Sequence, residues 1–313
     1  MGFKSLSSRA IIGTFYRALE QDPGAAWIDA LSMLFTSDQD GEDYNWIGQS
    51  PVMQEWIGGR TAKGFTENGI RIENKHFEAT IEILLKDLRR DKTSQIMTRI
   101  RELAERTNAH WASLLSSLIV AAESAECYDG QYFFDTDHEE GKSGVQSNDI
   151  QTDISALPAE VHGVATAPSV EEAQQAMMRS ITQILSFRDD QGEPMNENAM
   201  QFLVMVPIPF YITFNKALML PAGTGVSEVN IPDNFNISIA TNARLPWTDQ
   251  FATFRADGSV KPFIRQQETD VMMKAKAEGS EFEFDNDAHQ YGVDAWRNVG
   301  YGYWQHACLN KLI

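Results

Sequence analysis

The most regular feature of the chain is a run of apolar residues at helical spacing between Asp91 and Ser124. Apolar side chains recur there at steps of three and four, with Thr107 filling the one gap: Ile96, Ile100, Leu103, Trp111, Leu114, Leu118 and Ala122. Such steps return to one face of an α-helix, and neither proline nor glycine interrupts them. The pattern predicts a long amphipathic helix over 91–124, with a charged, half-solvated first part and a second part packed on several sides.

Two shorter helical patterns lie in residues 5–36, on either side of Asp22-Pro23-Gly24. Their apolar stripes are Leu6, Ile11, Phe15, Ala18 and Leu19 in the first, and Trp27, Leu31, Leu34 and Phe35 in the second. Helices this short are not stable alone in water. Each therefore needs a partner surface, either the body of its own chain or another copy of it.

Residues 58–76 predict a polar two-stranded hairpin that turns at Glu67-Asn68-Gly69, because Asn-Gly supports the positive φ angles of a tight turn. Its only apolar anchors are Phe65, Ile70 and Ile72, too few to stabilise a free ribbon. Basic residues outnumber Glu67 and Glu73 here, in an otherwise acidic chain: Arg60, Lys63, Arg71 and Lys75. Two interpretations stay open: the hairpin lies on an acidic neighbouring subunit, or it is a mobile surface hairpin without a partner.

The rest of the chain mixes strands and helices and indicates an α+β protein. A half-buried strand is predicted from Phe77 to Ile83, and a second helix begins at the capping box of Ser169 and Glu172. Further elements are a strand over 202–206, a bend at 207–209, a helix over 210–220, a strand from 235, and a hairpin around Asp257-Gly258.

The last predicted strand, within Tyr291–Leu309, contains Gly300 and Gly302, which indicate a close backbone approach. We expect it to return to the long helix, so that residues of about 150–275 form an inserted domain.

Charge and cysteine content narrow the classes of function. Among 313 residues, 26 Lys and Arg stand against 44 Asp and Glu, a net charge of −18 that repels a phosphate backbone or an anionic membrane. Only two cysteines occur, Cys127 and Cys308, and they are expected to be buried thiols. The longest apolar run, 202–214, is too short for a membrane span and contains two prolines.

One acidic cluster is a candidate metal site, formed by Asp135, Asp137 and His138 with Glu139 and Glu140 beside them. Carboxylates suit hard cations and histidine suits zinc or iron, so a metal-dependent enzyme is one interpretation. The spacing matches neither a calcium loop nor a helical His pair, which favours a structural or solvated role. No nucleophile elbow, phosphate-binding loop, dinucleotide fingerprint or Cys-x-x-Cys pair occurs, so catalytic residues, metal ligands and cofactors are not predicted.

Several short blocks nevertheless resemble the major head subunits of Mu-like tailed bacteriophages. They occur in that family's order from Tyr44 onward: YNWIG at 44–48, EWIGGR at 55–60, NKHFE at 74–78, YDGQ at 128–131, FDTDH at 134–138, VKPFI at 260–264, YGVDA at 291–295 and GYGYWQ at 300–305. Each block alone is weak, and together they are specific.

The resemblance implies a Hong Kong 97-type capsid fold. It assigns residues 1–48 to an N-terminal arm, 49–76 to an extended loop, 77–150 and 276–313 to a peripheral domain with spine helix 91–124, and 151–275 to an axial domain. The extended loop would contact a neighbouring subunit through Arg60, Lys63, Glu67, Asn68, Arg71 and Lys75.

The implied function is mechanical rather than enzymatic. Copies of the chain would form hexamers and pentamers of an icosahedral shell that encloses double-stranded DNA without reading its sequence. Expected partners are scaffold, portal and decoration proteins, with the scaffold a separate chain. The expected location is the virion, after assembly in the host cytoplasm.

Overall fold

The computed structural model describes residues 7–22, 24–45, 69–91, 94–219 and 235–313. The helices are α1 (Ser8–Gln21), α2 (Trp27–Leu31), α3 (Leu85–Arg90), α4 (Gln95–Ala121), α5 (Val170–Ser186), α6 (Tyr211–Met219) and α7 (Glu281–Asn286). The strands are β1 (Ser32–Thr36), β2 (Gly41–Tyr44), β3 (Ile70–Glu73), β4 (Lys75–Leu84), β5 (Asp149–Thr152), β6 (Gln201–Val206), β7 (Asn236–Thr241), β8 (Gln250–Arg255), β9 (Phe263–Gln267), β10 (Met272–Lys276), β11 (Ala288–Tyr301) and β12 (Ala307–Leu312).

Two five-stranded sheets organise these elements. In the first sheet, β4 pairs with one edge of the long strand β11, while β10 and β9 pair in succession with its other edge and β1 lies outside β9. The second sheet has the order β5-β12-β8-β6-β7. The chain passes from the first sheet to the second through α4, between β4 and β5, and crosses directly between the sheets from β8 to β9 and from β11 to β12. The amide of Gly302 joins the two direct crossings by donating to the carbonyl of Pro262 at 2.8 Å.

The long helix is confirmed as α4, and its two halves pack differently. In the first half Ile96, Ile100 and Leu103 are buried against α1 and the first sheet. In the second half the buried side chains are Leu115 and Ile119 rather than the predicted Leu114 and Leu118, within a cluster that spans both sheets. Its start is fixed by the carboxylate of Asp91, which accepts from the amides of residues 95 and 96, both at 3.1 Å.

The N-terminal segments pack on the body of their own chain, which is one of the two partner surfaces considered from the sequence. Ile11 and Phe15 of α1 are fully buried with the first half of α4. The prediction that the second helix includes Leu34 and Phe35 is wrong, because residues 32–36 form β1, parallel to β9. Backbone pairing with a distant strand overrides the local helical spacing.

The second helix of the sequence prediction is confirmed as α5, including its capping box at Ser169 and Glu172. Phe202–Val206 is buried in β6, and α6 follows the bend at Pro207 and Pro209 as predicted. α5 and α6 cover the second sheet with an apolar cluster that includes Met177, Phe210 and Phe214.

The predicted hairpin around Asp257-Gly258 is wrong. Gly258 makes the turn with a φ of +81°, but β8 belongs to the second sheet and β9 to the first. The turn is held by Asp257, whose carboxylate accepts from the amide of Met200 at 2.7 Å. A turn signal fixes local geometry only, so it could not show that the two strands diverge.

Sheet membership also divides the chain differently from the predicted domain ranges. β9 lies inside the range 151–275 and yet joins the first sheet with β11. β12 lies in the range 276–313 and yet pairs with β5 and β8 in the second sheet. β5 itself extends across the predicted boundary at residue 150. β11 is the strand that returns to the long helix, since it packs against α4.

Candidate subunit-contact surface and the buried polar cluster

The predicted contact loop is described only at its base. Arg60, Lys63, Glu67 and Asn68 lie outside the described residues, whereas Arg71 lies on β3 and Lys75 begins β4, both exposed. β3 pairs antiparallel with β2, with Tyr44 opposite Ile70. The sequence predicts that β3 pairs with the other strand of the hairpin 58–76, immediately before Asn68. The structure pairs β3 with residues 41–44 instead. Gly69 lies against Asn45 without a positive φ, so the predicted turn chemistry does not apply to it.

This strand pair is anchored to the first sheet. The hydroxyl of Tyr44 donates to Oε1 of Gln266 at 2.8 Å, and Nε2 of Gln266 donates to the carbonyl of Ile72 at 3.0 Å. Ile72 packs onto Gly300, where a Cβ would lie 2.3 Å from its Cδ1. The close approach predicted for Gly300 is therefore confirmed. Asn45 and Gly69 thus lie next to each other at one fixed point of the described structure.

The ion pairs at this base contribute little to stability. Arg71 approaches Asp43 at 3.2 Å and Glu73 at 4.0 Å, and all three side chains are more than half exposed. Exposed ion pairs of this kind contribute about 0–1 kcal/mol, because water screens the charges. Arg71 and its acidic partners are accessible to another molecule.

The predicted metal cluster is not assembled. Asp135 accepts from the amides of Tyr132 and Thr136, at 3.2 and 2.7 Å, and a hydrogen bond with Asp135 raises the pKa of the solvent-exposed Asp137. The ring of His138 is turned inward, where its Nδ1 lies 2.7 Å from Oδ2 of Asp129. Asp135, Asp137 and His138 therefore do not converge on a common ligand position.

Within residues 7–22, 24–45, 69–91, 94–219 and 235–313, the set that comes close enough for a metal joins His138 with two other side chains. Its members are Cys127, Asp129 and His138, whose ligand atoms lie within 4.8 Å of one another. Burial strongly raises the pKa of the Cys127 thiol, which donates instead to Oδ1 of Asp129 at 2.9 Å. In this state the three side chains form a hydrogen-bond chain in which Asp129 accepts from the Cys127 thiol and pairs with Nδ1 of His138.

The charge of Asp129 is stabilised by this chain. Burial acts to raise the pKa of its carboxyl, but hydrogen bonds from His138 and Cys127 outweigh burial and hold the pKa below its usual value. The ring of His138 is fully buried and stacks on the indole of Trp304, with centroids 3.9 Å apart.

A second buried carboxylate, Glu140, ties the same loop to the crossing between β11 and β12. It accepts from the hydroxyl of Tyr128 at 2.5 Å, from Nε1 of Trp304 at 3.1 Å and from Nε2 of Gln305 at 3.0 Å. Burial raises the pKa of Glu140 in spite of these bonds. Sequence reasoning gave Asp129 and Trp304 no role beyond their places in two of the blocks that resemble Mu-like head subunits. Their one local signal was that they lie in polar-aromatic blocks, at 128–131 and 300–305.

A family model and curated relatives point to one class of protein. The model of the "Mu-like prophage major head subunit gpT" matches residues 7–158 and 237–312. The chain belongs to this family. It is 26% identical over 272 residues to the Mu-like prophage FluMu major head subunit of Haemophilus influenzae, covering 86% of the chain and 61% of that protein. It is 30% identical over 124 residues to the major capsid protein of Escherichia phage Mu, covering 40% of each. The chain thus spans less than two thirds of the length of these relatives.

Solved structures show the same fold. The procapsid protein of bacteriophage JBD30 aligns with a TM-score of 0.56 at 22% identity, covering 96% of the chain and 72% of that protein. The capsid protein of cyanophage P-SCSP1u aligns with a TM-score of 0.57 at 12% identity, covering 93% of the chain and 89% of that protein. The virus-like particle of Pyrococcus furiosus aligns with a TM-score of 0.53 at 11% identity, covering 97% of the chain and 98% of that protein. The α+β, Hong Kong 97-type capsid fold expected from the sequence is confirmed. No helix in the described part of the chain is long and apolar enough to cross a membrane.

Proposed function

We propose that this protein is the major capsid subunit of a Mu-like phage head and assembles with copies of itself into an icosahedral shell around packaged double-stranded DNA. Family membership carries the proposal, and the fold shared with capsid proteins supports it. The role is structural rather than enzymatic, since the matched relatives are head and capsid subunits. The subunit would be a component of the virion, assembled in the host cytoplasm.

The first sheet with α4 would form the peripheral domain, and the second sheet with α5 and α6 the axial domain at the centre of hexamers and pentamers. The segment of residues 49–76 would extend over a neighbouring subunit through Arg60, Lys63, Glu67, Asn68, Arg71 and Lys75. The anchored base at Tyr44 and Ile72 supports this, since it fixes where the segment leaves the body. Scaffold, portal and decoration proteins are the expected further partners.

The net charge of −18 fits a container for DNA. A wall that bound phosphates tightly would impede the entry and exit of the genome, because affinity for DNA comes mainly from Lys and Arg that neutralise phosphates.

Electron microscopy of the expressed protein tests the proposal. Closed shells, formed by the subunit alone or together with a scaffold protein, are the expected result. Only small species at high subunit concentration with the scaffold present would contradict it. Metal analysis of the purified subunit separates the alternative class, since an enzyme that used Asp135, Asp137 and His138 would carry a stoichiometric ion.

A further inference from the structure

A groove of about 270 Å³ lies between α4 and the pair of strands β4 and β11. Its apolar lining comes from Phe77, Leu103 and Val293, and three nitrogen-bearing side chains, Arg106, His110 and Arg297, stand beside two carboxylates, Glu78 and Asp294. Neither the subunit-contact loop nor the polar cluster around Trp304 includes these residues.

Arg297 is a buried cation without a counter-charge in the described part of the chain. It is 4% exposed, its Nη2 donates to the carbonyl of Thr107 at 3.2 Å, and its guanidinium lies 4.9 Å from the ring centre of Trp111. Its buried Nε has no hydrogen-bond partner. Burial lowers the pKa of Arg297 to about 10, so the side chain still carries its charge at neutral pH.

The neighbouring side chains in the groove do not supply a carboxylate partner for Arg297. Asp294 also lines the groove, but Lys274 engages its carboxylate at 3.0 Å. Nδ1 of His110 is buried and likewise has no hydrogen-bond partner. Burying a charge costs several kcal/mol unless a partner compensates it. A strongly acidic protein that keeps such a cation in an open groove is suited to receive a carboxylate from outside.

A surface that could fit this groove lies on α7, which packs against another part of β11. Phe284 of α7 is 91% exposed, more than any other large apolar side chain in the described residues. Glu281 and Asp285 flank it and are exposed, without an ion pair to another described residue. Glu283, in contrast, is held by its own chain, through His289 at 3.1 Å and the amide of Gly279 at 2.6 Å.

We propose that α7 of one copy docks into this groove of a second copy, with Phe284 against the apolar lining and the carboxylate of Glu281 or Asp285 on Arg297. The inference rests on the self-assembly proposed above and names a contact within it. α7 cannot fill its own groove, because it ends just before Ala288 and the groove lies five to nine residues further along β11, roughly 15–30 Å away. A contact between two different patches is head-to-tail, and it closes into a ring when the rotation between successive copies completes a full turn.

Cysteine cross-linking in assembled protein tests the contact directly. Cys127 and Cys308 are buried, so a short bismaleimide will react mainly at engineered surface thiols. The double variant Asn286→Cys with Glu78→Cys keeps Phe284 and places one thiol on the exposed end of α7 and the other at the edge of the groove, and it is expected to give a ladder of linked subunits. Each single variant is the matched control and is expected to give no ladder.

Two substitutions test the apolar contact of Phe284 and the charge of Arg297 separately. Phe284→Ala is expected to raise the subunit concentration needed for assembly about tenfold, since large aromatics at interfaces dominate binding. Val161→Ala, at a side chain 71% exposed on another part of the surface, is the control and should leave it unchanged. Arg297→Met is expected to weaken assembly similarly while leaving the isolated subunit at least as resistant to urea, because it removes a buried charge and keeps its volume.

The outcomes distinguish the two proposals. If the wild-type protein forms no oligomers, the capsid function fails and the docking contact fails with it. If wild-type shells form but the double-cysteine variant gives no ladder and Phe284→Ala assembles normally, the docking contact alone is overturned.

Discussion

The imidazole of His138 lies flat on the indole of Trp304, with centroids 3.9 Å apart and ring planes within 8° of parallel. This stack joins the loop after α4 to the point where the chain crosses from the first sheet to the second. Asp129 fixes the histidine and Glu140 fixes the indole, so the crossing is held by hydrogen bonds as well as by packing.

Trp304→Ala is expected to lower the free energy of unfolding by about 3–5 kcal/mol, because it removes a fully buried indole and leaves Glu140 short of a donor. Urea denaturation of the subunit measures the change. Trp296→Ala is the matched control: that indole is 37% exposed and stacks on His76, so its loss should cost only about 1 kcal/mol. Equal losses in the two variants would show that the crossing has no special role.

Gly300→Ala is expected to destabilise the subunit by about 1–3 kcal/mol, since the new Cβ would meet the side chain of Ile72 at 2.3 Å. The double variant with Ile72→Ala should recover part of the loss, because the clashing atoms are gone. Gly13→Ala in α1 is the control, with nothing within 4 Å of its Cβ, and is expected to be neutral or stabilising. Thermal unfolding of the wild type, Gly300→Ala, Ile72→Ala and the double variant gives the coupling energy between residues 72 and 300. Strictly additive effects would refute the proposed contact.

Asp149→Asn is expected to stabilise the subunit at neutral pH. Burial, with the charges of Glu123 and Asp135, raises the pKa of Asp149 in the folded state to about 6. The folded state therefore holds a proton that the unfolded state releases near pH 4, and the wild type loses stability as the pH rises from about 4 to about 6. Denaturation at several pH values should show a gain of roughly 1–2 kcal/mol at pH 7.

The same titration has an internal control in Glu123→Gln. This substitution removes a charge that raises the pKa of Asp149 and should reduce the slope between pH 4 and 6 without abolishing it. Stability curves for wild type and Asp149→Asn that run parallel across this range would contradict the assignment.

Reversal of charge at Arg60, Lys63 and Arg71 to Glu is expected to impair shell formation while the subunit remains folded. The reason is that these basic residues would meet an acidic neighbour, where like charges repel. Shell yield by sedimentation and folding by circular dichroism are the measurements. Reversal at Lys86, Arg89 and Arg99, exposed on α3 and α4, is the control with the same change in net charge. Unchanged yield in the first variant would make its basic excess incidental.

Local patterns in the sequence determined the elements whose signals are local. The helical spacing of apolar residues from Ile96 to Ala122 predicts α4, and Ser169 with Glu172 starts α5, because a helix is stabilised by side chains three and four residues apart. The sequence likewise predicts the close approach at Gly300 and shows the acidic composition directly.

Only the tertiary structure decided what depends on pairing between distant residues. β8 and β9 follow one turn and enter different sheets, residues 32–36 become a strand against β9, and His138 turns away from Asp135 toward Asp129. The groove at Arg297 has the same origin, because its walls come from β4, α4 and β11. The whole fold determines which strands pair and which charged side chains are buried. Neighbours in the sequence determine neither, because the partner strand and the groups that exclude water come from distant residues.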